Sequence, residues 1–254
     1  MAKVIAVTNQ KGGVGKTTTA INLSASLALL GENVLLIDMD PQANASSGLG
    51  FVSLDTFTVY DVLTGACEIT AAVKNTVLSN LSLLPAVIDL AGAEIELIGM
   101  DNWDLTLWKA IAAIKMNYDY IFIDSPPSLG VLTVNALKAA DSVLIPLQCE
   151  YYALEGLSRL LDTISALKQS VPEDYIEGIL FTMFDGRTNL AQEVVAEVTN
   201  HFPQAVYQTI IPRNIRLGEA PGFGLPVILY DEKSAGARAY EALAQEVKKR
   251  AEKE

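Results

Sequence analysis

The segment Lys11-Gly-Gly-Val-Gly-Lys-Thr-Thr18 packs three glycines, two lysines and two hydroxyls into eight residues. That mixture suits phosphate. Glycines let successive backbone N–H groups turn inward onto phosphate oxygens. A helix opening straight afterwards adds its dipole and its unpaired amides. In such a loop Lys16 supplies a point charge to the β- and γ-phosphates, and Thr17 offers a hydroxyl to Mg²⁺. Gly12, Gly13, Val14, Gly15, Lys16, Thr17 and Thr18 are therefore the candidate nucleotide-binding residues. Lys11, just before the paired glycines, stands at the edge of the usual pattern.

Three carboxylates end apolar runs. Asp38 and Asp40 close Leu35-Leu-Ile-Asp-Met-Asp40. Residues two apart on an extended segment share a face, so both can point toward one phosphate site. Asp124 closes Tyr120-Ile-Phe-Ile-Asp124. A strand-terminal carboxylate of this kind holds Mg²⁺ directly or through water. Mg²⁺ keeps much of its hydration, so one or two protein ligands suffice. Thr17, Asp38 and Asp124 are the candidate metal residues.

Positioning these groups requires strands that deliver them to one edge. Short apolar runs predict strands over Val4–Thr8, Val34–Asp38, Leu81–Pro85, Tyr120–Asp124, Ser142–Leu147, Ile176–Met183, Val206–Ile211 and Val227–Leu229. Several are continuous in Val, Ile and Leu, as in strands covered on both faces. Helical patterns fall between them, over Thr17–Leu30, Leu90–Ile98, Trp103–Lys115, Val131–Ala139, Leu154–Gln169, Leu190–His201 and Ser234–Arg250. The alternation implies an α/β fold, doubly wound, with a predominantly parallel sheet and helices on both faces. Ligands of such sheets bind outside the C-terminal strand ends, where the phosphate loop and the carboxylates fall.

The chain has 254 residues, half of them hydrophobic, enough for one sizeable core and read as a single domain over 1–254. The net charge of −12 argues against a generally basic nucleic-acid binder, although it does not speak to local patches. Cys67 and Cys149 show no C-x-x-C spacing, which argues against a zinc or iron–sulfur site and fits a reducing, cytoplasmic setting. The first strand starts almost at once, leaving no room for a signal peptide, and no apolar run reaches the ~18 residues of a membrane span.

Taken together, KGGVGKTT, VLLIDMDPQANASSGLG, LAGAEIEL, YDYIFIDSPPSLG, VLIPLQCEYYALEGLSRLL, FTMFDGRTNLAQEV and IPRNIRLGEAPGFGLPVILYD resemble the ParA/MinD family of deviant Walker A P-loop ATPases, on its chromosomal ParA (Soj) side. The matching segments run nearly the whole length. The resemblance implies a cytoplasmic, nucleoid-associated switch using ATP/ADP and Mg²⁺. It forms a homodimer when ATP-bound, binds DNA without sequence preference, and meets a ParB-type partner that stimulates slow hydrolysis. It implies that Lys11 crosses to the phosphates of the other subunit and, with Lys16 and Asp40, is catalytic, with Asp40 orienting the attacking water. Two facing triphosphates do repel unless cations intervene. It places Pro212, Arg213 and Asn214 against the adenine. It makes Arg187 and Arg216 the DNA contacts, a role suited to the planar guanidinium fork.

Other readings are weaker. A related ATPase could position another cellular cargo, and nothing in the sequence excludes it. A MinD-type membrane switch needs an amphipathic tail, which AQEVKKRAEKE does not supply. A redox ATPase needs cysteines placed to bridge a cluster between subunits. The chain also lacks the N-terminal DNA-binding extension of larger plasmid relatives.

Overall fold

Continuous Val, Ile and Leu runs give each central strand two apolar faces. The computed structural model describes residues 1–52, 56–167 and 175–252. Its strands are β1 (Lys3–Val7), β2 (Val34–Asp38), β3 (Lys74–Asn75), β4 (Leu81–Leu84), β5 (Tyr120–Asp124), β6 (Ser142–Gln148) and β7 (Ile176–Thr182). They form one sheet in the order β3-β4-β2-β5-β1-β6-β7. All pairings are parallel except that of the short edge strand β3 with β4.

Odd and even strand residues enter different cores. Val4, Ala6, Ile121 and Ile123 face one side, beneath α3 (Val59–Thr64), α4 (Ile69–Ala72), α5 (Leu90–Ile98), α6 (Thr106–Ala112), α7 (Val131–Ala139), α8 (Ala153–Leu167) and α9 (Asn189–His201). Ile5, Val7, Leu36 and Phe122 face the other, beneath α1 (Lys16–Leu29), α2 (Asn44–Gly48) and α12 (Ala235–Ala251). The doubly wound α/β architecture expected from the sequence is the one observed. Near the site lie two further short helices, α10 (Ile215–Glu219) and α11 (Val227–Tyr230).

Three expected elements differ. Residues 227–229 are not a strand but the helical turn α11: Pro226 is its N-cap, and the Val227 amide donates to Asn22 Oδ1 at 2.7 Å. Trp103–Lys115 is not one helix; a 3-10 turn over Trp103–Leu105 precedes α6, and a second 3-10 turn, Lys115–Asn117, follows it. The helix expected over 154–169 is α8, and residues 168 and 169 lie outside the described residues.

The third difference has a clear cause. Segment 206–211 runs beside β7 yet forms only an isolated bridge, Ile179 to Val206. Tyr207 N and Ile211 N still donate to Ile179 O and Phe181 O at 3.0 and 2.9 Å. Between them, Glu246 of α12 takes the amides of Gln208 and Thr209 at 2.8 and 2.9 Å and the Thr209 hydroxyl at 2.8 Å. A helix carboxylate thus takes the Thr209 amide that a ladder would otherwise use, and satisfies the Gln208 amide beside it. Burial pushes the Glu246 carboxyl up, but these hydrogen bonds and Arg250 hold it below the usual range. Its contribution is therefore present at neutral pH and lost as pH falls through that lowered value. Glu246→Ala is expected to cost about 1–2 kcal/mol in urea unfolding at pH 7, the lower part of the range for charged hydrogen bonds because the group is partly solvated. Wild-type and variant curves should converge in acid.

Candidate active site

The sheet register brings the carboxylates to the phosphate loop. Val7 pairs with Asp124, and Asp124 with Asp38, so the three occupy one row across β1, β5 and β2. Leu36 and Phe122 face α1, and Asp38 and Asp124, two residues further on, share that face. The phosphate loop leaves β1 at the end of this row and enters α1. Gly13 and Gly15 have φ of 75° and 88°, the left-handed region that L side chains rarely adopt. Gly15 is the N-cap of α1, and its carbonyl accepts from Thr19 N at 2.9 Å. Thr182, the last residue of β7, donates its hydroxyl to Val14 O at 2.8 Å and anchors the loop from across the sheet.

Lys16 is buried, with Nζ donating to Lys11 O at 3.2 Å. Burial lowers its pKa, while Asp124 and Asp40 pull the other way. Asp38 is engaged at both oxygens: one accepts Asp40 N at 3.1 Å, the other Ser46 N and Ser46 Oγ at 2.8 Å each. Burial pushes its carboxyl up to about 6 against those hydrogen bonds. Asp124 differs. Both of its oxygens are buried and accept no hydrogen bond from the protein. Burial, then the Asp38 charge, drives its pKa well up; the Thr17 hydroxyl, which faces it without hydrogen-bond geometry, opposes this, as does Lys16. Asp40 lies at the start of the next turn, nearly buried, with Oδ1 accepting Gln42 N at 2.9 Å.

A cavity of about 670 Å³ opens over these groups. Gly13, Gly15, Lys16, Thr17, Thr18 and Asp40 line one side; Pro212, Arg213 and Asn214 line the other. The segment expected at the adenine thus shares a cavity with the phosphate loop. The Asn214 side chain caps α10, its oxygen accepting Arg216 N at 3.0 Å.

Other candidates lie off this cavity. Val14 is buried, and Gly12 is exposed with open space around its Cα. Lys11 points away, its ammonium ion-paired with Glu150, both half exposed. Arg187 is exposed and chelated by Asp185, its Nε at 2.8 Å. Arg216 pairs with Glu219 at 2.7 Å and with Asp231 at 3.1 Å. Sequence reasoning missed Thr182, Met183, Tyr240 and Glu150. Met183, beside the base end of the cavity, has φ of 49°, unusual for a bulky side chain. Tyr240 of α12 reaches the cavity wall and hydrogen-bonds Thr19 Oγ1 at 3.0 Å. None carries a local sequence signal, since each is placed by long-range packing.

Asp124 tests the metal expectation. A buried carboxylate with two unpartnered oxygens is costly unless a cation or proton meets it. Among the described residues, no group of three or more His, Cys, Asp or Glu is arranged to hold a metal alone. Thr17 and Asp124, with waters and phosphate oxygens, fit Mg²⁺, which needs few protein ligands.

A family model described as an AAA domain matches residues 2–176. The sporulation initiation inhibitor protein Soj of Bacillus subtilis is 55% identical, over 97% of this chain and 98% of that protein. The chain belongs to the ParA/MinD family of ATPases, on its Soj/ParA side. The chromosome partitioning protein ParA of Myxococcus xanthus is 54% identical, over 98% of this chain and 89% of that protein. A solved structure described as cobyrinic acid a,c-diamide synthase from Mycobacterium smegmatis, with bound ADP and magnesium, superposes with a TM-score of 0.82 at 39% identity, covering 96% of this chain and 93% of that one. Among the described residues, no helix is long and apolar enough to cross a membrane.

Proposed function

We propose that this chain is an ATP-dependent dimerising switch that binds DNA non-specifically and hydrolyses ATP to drive chromosome or plasmid partition with a ParB-type partner. The observation that carries this reading is the shared cavity, in which the phosphate loop, Asp40 and Pro212–Asn214 meet. Gly12–Thr18 bind the phosphates, Pro212, Arg213 and Asn214 flank the adenine, and Thr17 and Asp124 hold Mg²⁺, which supplies charge neutralisation at the phosphates. Asp38, with both oxygens accepting protein hydrogen bonds, supports the Mg²⁺ site from behind and fixes the turn that carries Asp40, and Asp40 orients the attacking water. Lys11 serves the phosphates of the second subunit. Lys16 already faces two carboxylates, Asp124 and Asp40, so two facing nucleotides need further cations. Among the described residues the arginine lining the cavity is Arg213, assigned here to the adenine and not to the phosphates, so turnover is slow until a partner docks.

The DNA role rests on the names of the relatives and on Arg187 and Arg216. Both arginines already hold carboxylates, so a DNA phosphate must displace Asp185 or Glu219. That predicts weak binding that falls steeply with salt.

Size-exclusion chromatography tests the switch. With ADP, or with no nucleotide, the protein should elute as a monomer. Asp40→Ala with ATP and Mg²⁺ should be trapped as a dimer, with hydrolysis reduced at least ~100-fold. DNA should be retained by the dimer fraction alone. A chain that stays monomeric under every condition refutes the proposal.

A further inference from the structure

Helix α5 lacks the polar outer face of an ordinary surface helix. Its inner face is apolar, as expected, with Leu90, Ala93 and Leu97 in the core. Its outer face is apolar too. Ala91, Ile95 and Ile98 lie on one stripe of the helix, Ile88 in the turn just before it precedes Ala91 by three residues, and the three isoleucines are 64%, 82% and 63% exposed. Acidic residues flank the stripe on both sides. Asp89 and Glu96 lie on one margin, with Glu96 held by the Tyr60 hydroxyl at 3.0 Å. Glu94 lies on the other, against Gly130. From Val87 to Asn102 there is no lysine or arginine.

The stripe ends at a cavity. A pocket of about 300 Å³ is walled by Pro41, Gln42 and Ala43 on one side and Ala86, Val87 and Ile88 on the other. The first three form the turn after Asp40. Ala43 N closes that turn on Asp40 O at 2.8 Å, and Ala43 itself has φ of 52°. The opposite wall is tied to the same carboxylates, because Ala86 N donates at 2.9 Å to Ser46 Oγ, which in turn donates to Asp38. An occupant of this pocket would touch a strained turn that carries one site carboxylate and is fastened by another.

We propose that the outer face of α5 and this pocket form the docking surface for a basic amphipathic segment of a partner protein, whose aliphatic side chain enters the pocket beside the Asp40 turn. An exposed apolar stripe with an acidic border fits a helix of about three turns, ~15 Å long, with the opposite charge on its flanks. The border decides the occupant. A second copy of this chain would oppose Asp89, Glu94 and Glu96 to their own equivalents, a like-charge juxtaposition. An anionic lipid surface would meet the same repulsion. Coupling of the docked segment to hydrolysis rests on the ATPase function proposed above; docking itself does not.

Two fluorescein-labelled peptides test it on the full chain. Both carry leucines at helical spacing, one with lysines at the remaining positions and the other with glutamates. The lysine peptide should bind and the glutamate peptide should not. Ile95→Asp should weaken binding at least ~10-fold, as truncating a central anchor does, and Ile95→Leu should restore it. Asp89→Lys combined with Glu96→Lys should weaken it by a similar factor. Hydrogen exchange at the Gln42 and Ala43 amides should slow in the bound state. Equal binding of both peptides, unchanged affinity of Ile95→Asp, or protection confined to another surface would overturn the proposal. So would self-association of the free protein, or attachment to anionic vesicles, that Ile95→Asp abolishes. Ile95 is surface-exposed, so the variant should keep wild-type thermal stability and Mg-ATP binding. Failure of the wild-type chain to bind Mg-ATP would instead refute the ATPase reading and leave this surface standing.

Discussion

Asp124→Asn is expected to make the nucleotide-free protein more stable and to remove the extra stabilisation that Mg²⁺ adds to bound nucleotide. The wild-type carboxylate is fully buried, unpartnered at both oxygens, and level with Asp38 in the adjacent strand. Such a group is tolerable only when protonated or when facing a cation. Asparagine has the same shape and no charge, so it relieves both desolvation and repulsion. A gain of about 2 kcal/mol, or roughly 4–8 °C in Tm for a chain of this size, is the expected scale. The pH dependence carries the sign. Carboxyl groups whose folded pKa is raised bind more protons folded than unfolded, so their stability contribution falls as pH rises above ~4, the ordinary carboxylate value. For Asp38 the loss extends through about 6. The wild-type protein should therefore lose stability over that range, and Asp124→Asn should show a flatter profile. Differential scanning calorimetry from pH 4 to 8, with and without Mg-ADP, measures both effects. A variant less stable than wild type at pH 7.5 without nucleotide would contradict this account.

Lys11→Ala is expected to leave single-subunit nucleotide binding nearly intact and to abolish the ATP-dependent dimer. The ammonium lies outside the cavity, held by Glu150, whereas Lys16 supplies the buried charge on the phosphate side. Loss of a cation that acts only in the assembled site should appear in turnover rather than in affinity, with a fall of about 100- to 1,000-fold. Glu150→Ala should act oppositely and mildly. An exposed ion pair is worth about 1 kcal/mol or less, so freeing Lys11 should shift the dimerisation midpoint toward lower ATP by up to ~5-fold. Fluorescent ADP titration and sedimentation velocity separate the two quantities. A Lys11→Ala chain that still dimerises with ATP would remove the trans role of this lysine.

The sequence made the chemistry of the site legible where chemistry coincides with local pattern. Gly12–Thr18 could be read because glycines, a lysine and hydroxyls must be contiguous to wrap a phosphate. Asp38 and Asp124 could be read because each ends an apolar run. Thr182 and Tyr240 could not, because each reaches the site from a distant part of the chain, over 168 residues in the bond to Val14 and 221 in the bond to Thr19. The segment 206–211 was misread for the same reason. Its apolar pattern is that of a strand, but Glu246, on the last helix, takes the Thr209 amide that would have paired. Val227-Ile-Leu-Tyr230 failed differently: four apolar residues suit a strand or a helical turn equally, and the Pro226 cap decided it.

The row formed by Val7, Asp124 and Asp38 has a consequence for how such a chain can change length. Side chains alternate strictly along each strand, so deleting one residue within β5 would turn Ile123 to the nucleotide side and bury Asp124 among the helices of the opposite layer. Composition and hydrophobicity would hardly alter, yet both the metal position and a core layer would be lost together. Insertions and deletions should therefore be confined to the connections, while the five residues of each of β1, β2 and β5 stay invariant in number. Ribosomal synthesis of a library with single-codon deletions across residues 118–126, scored for soluble protein, would trace that boundary residue by residue.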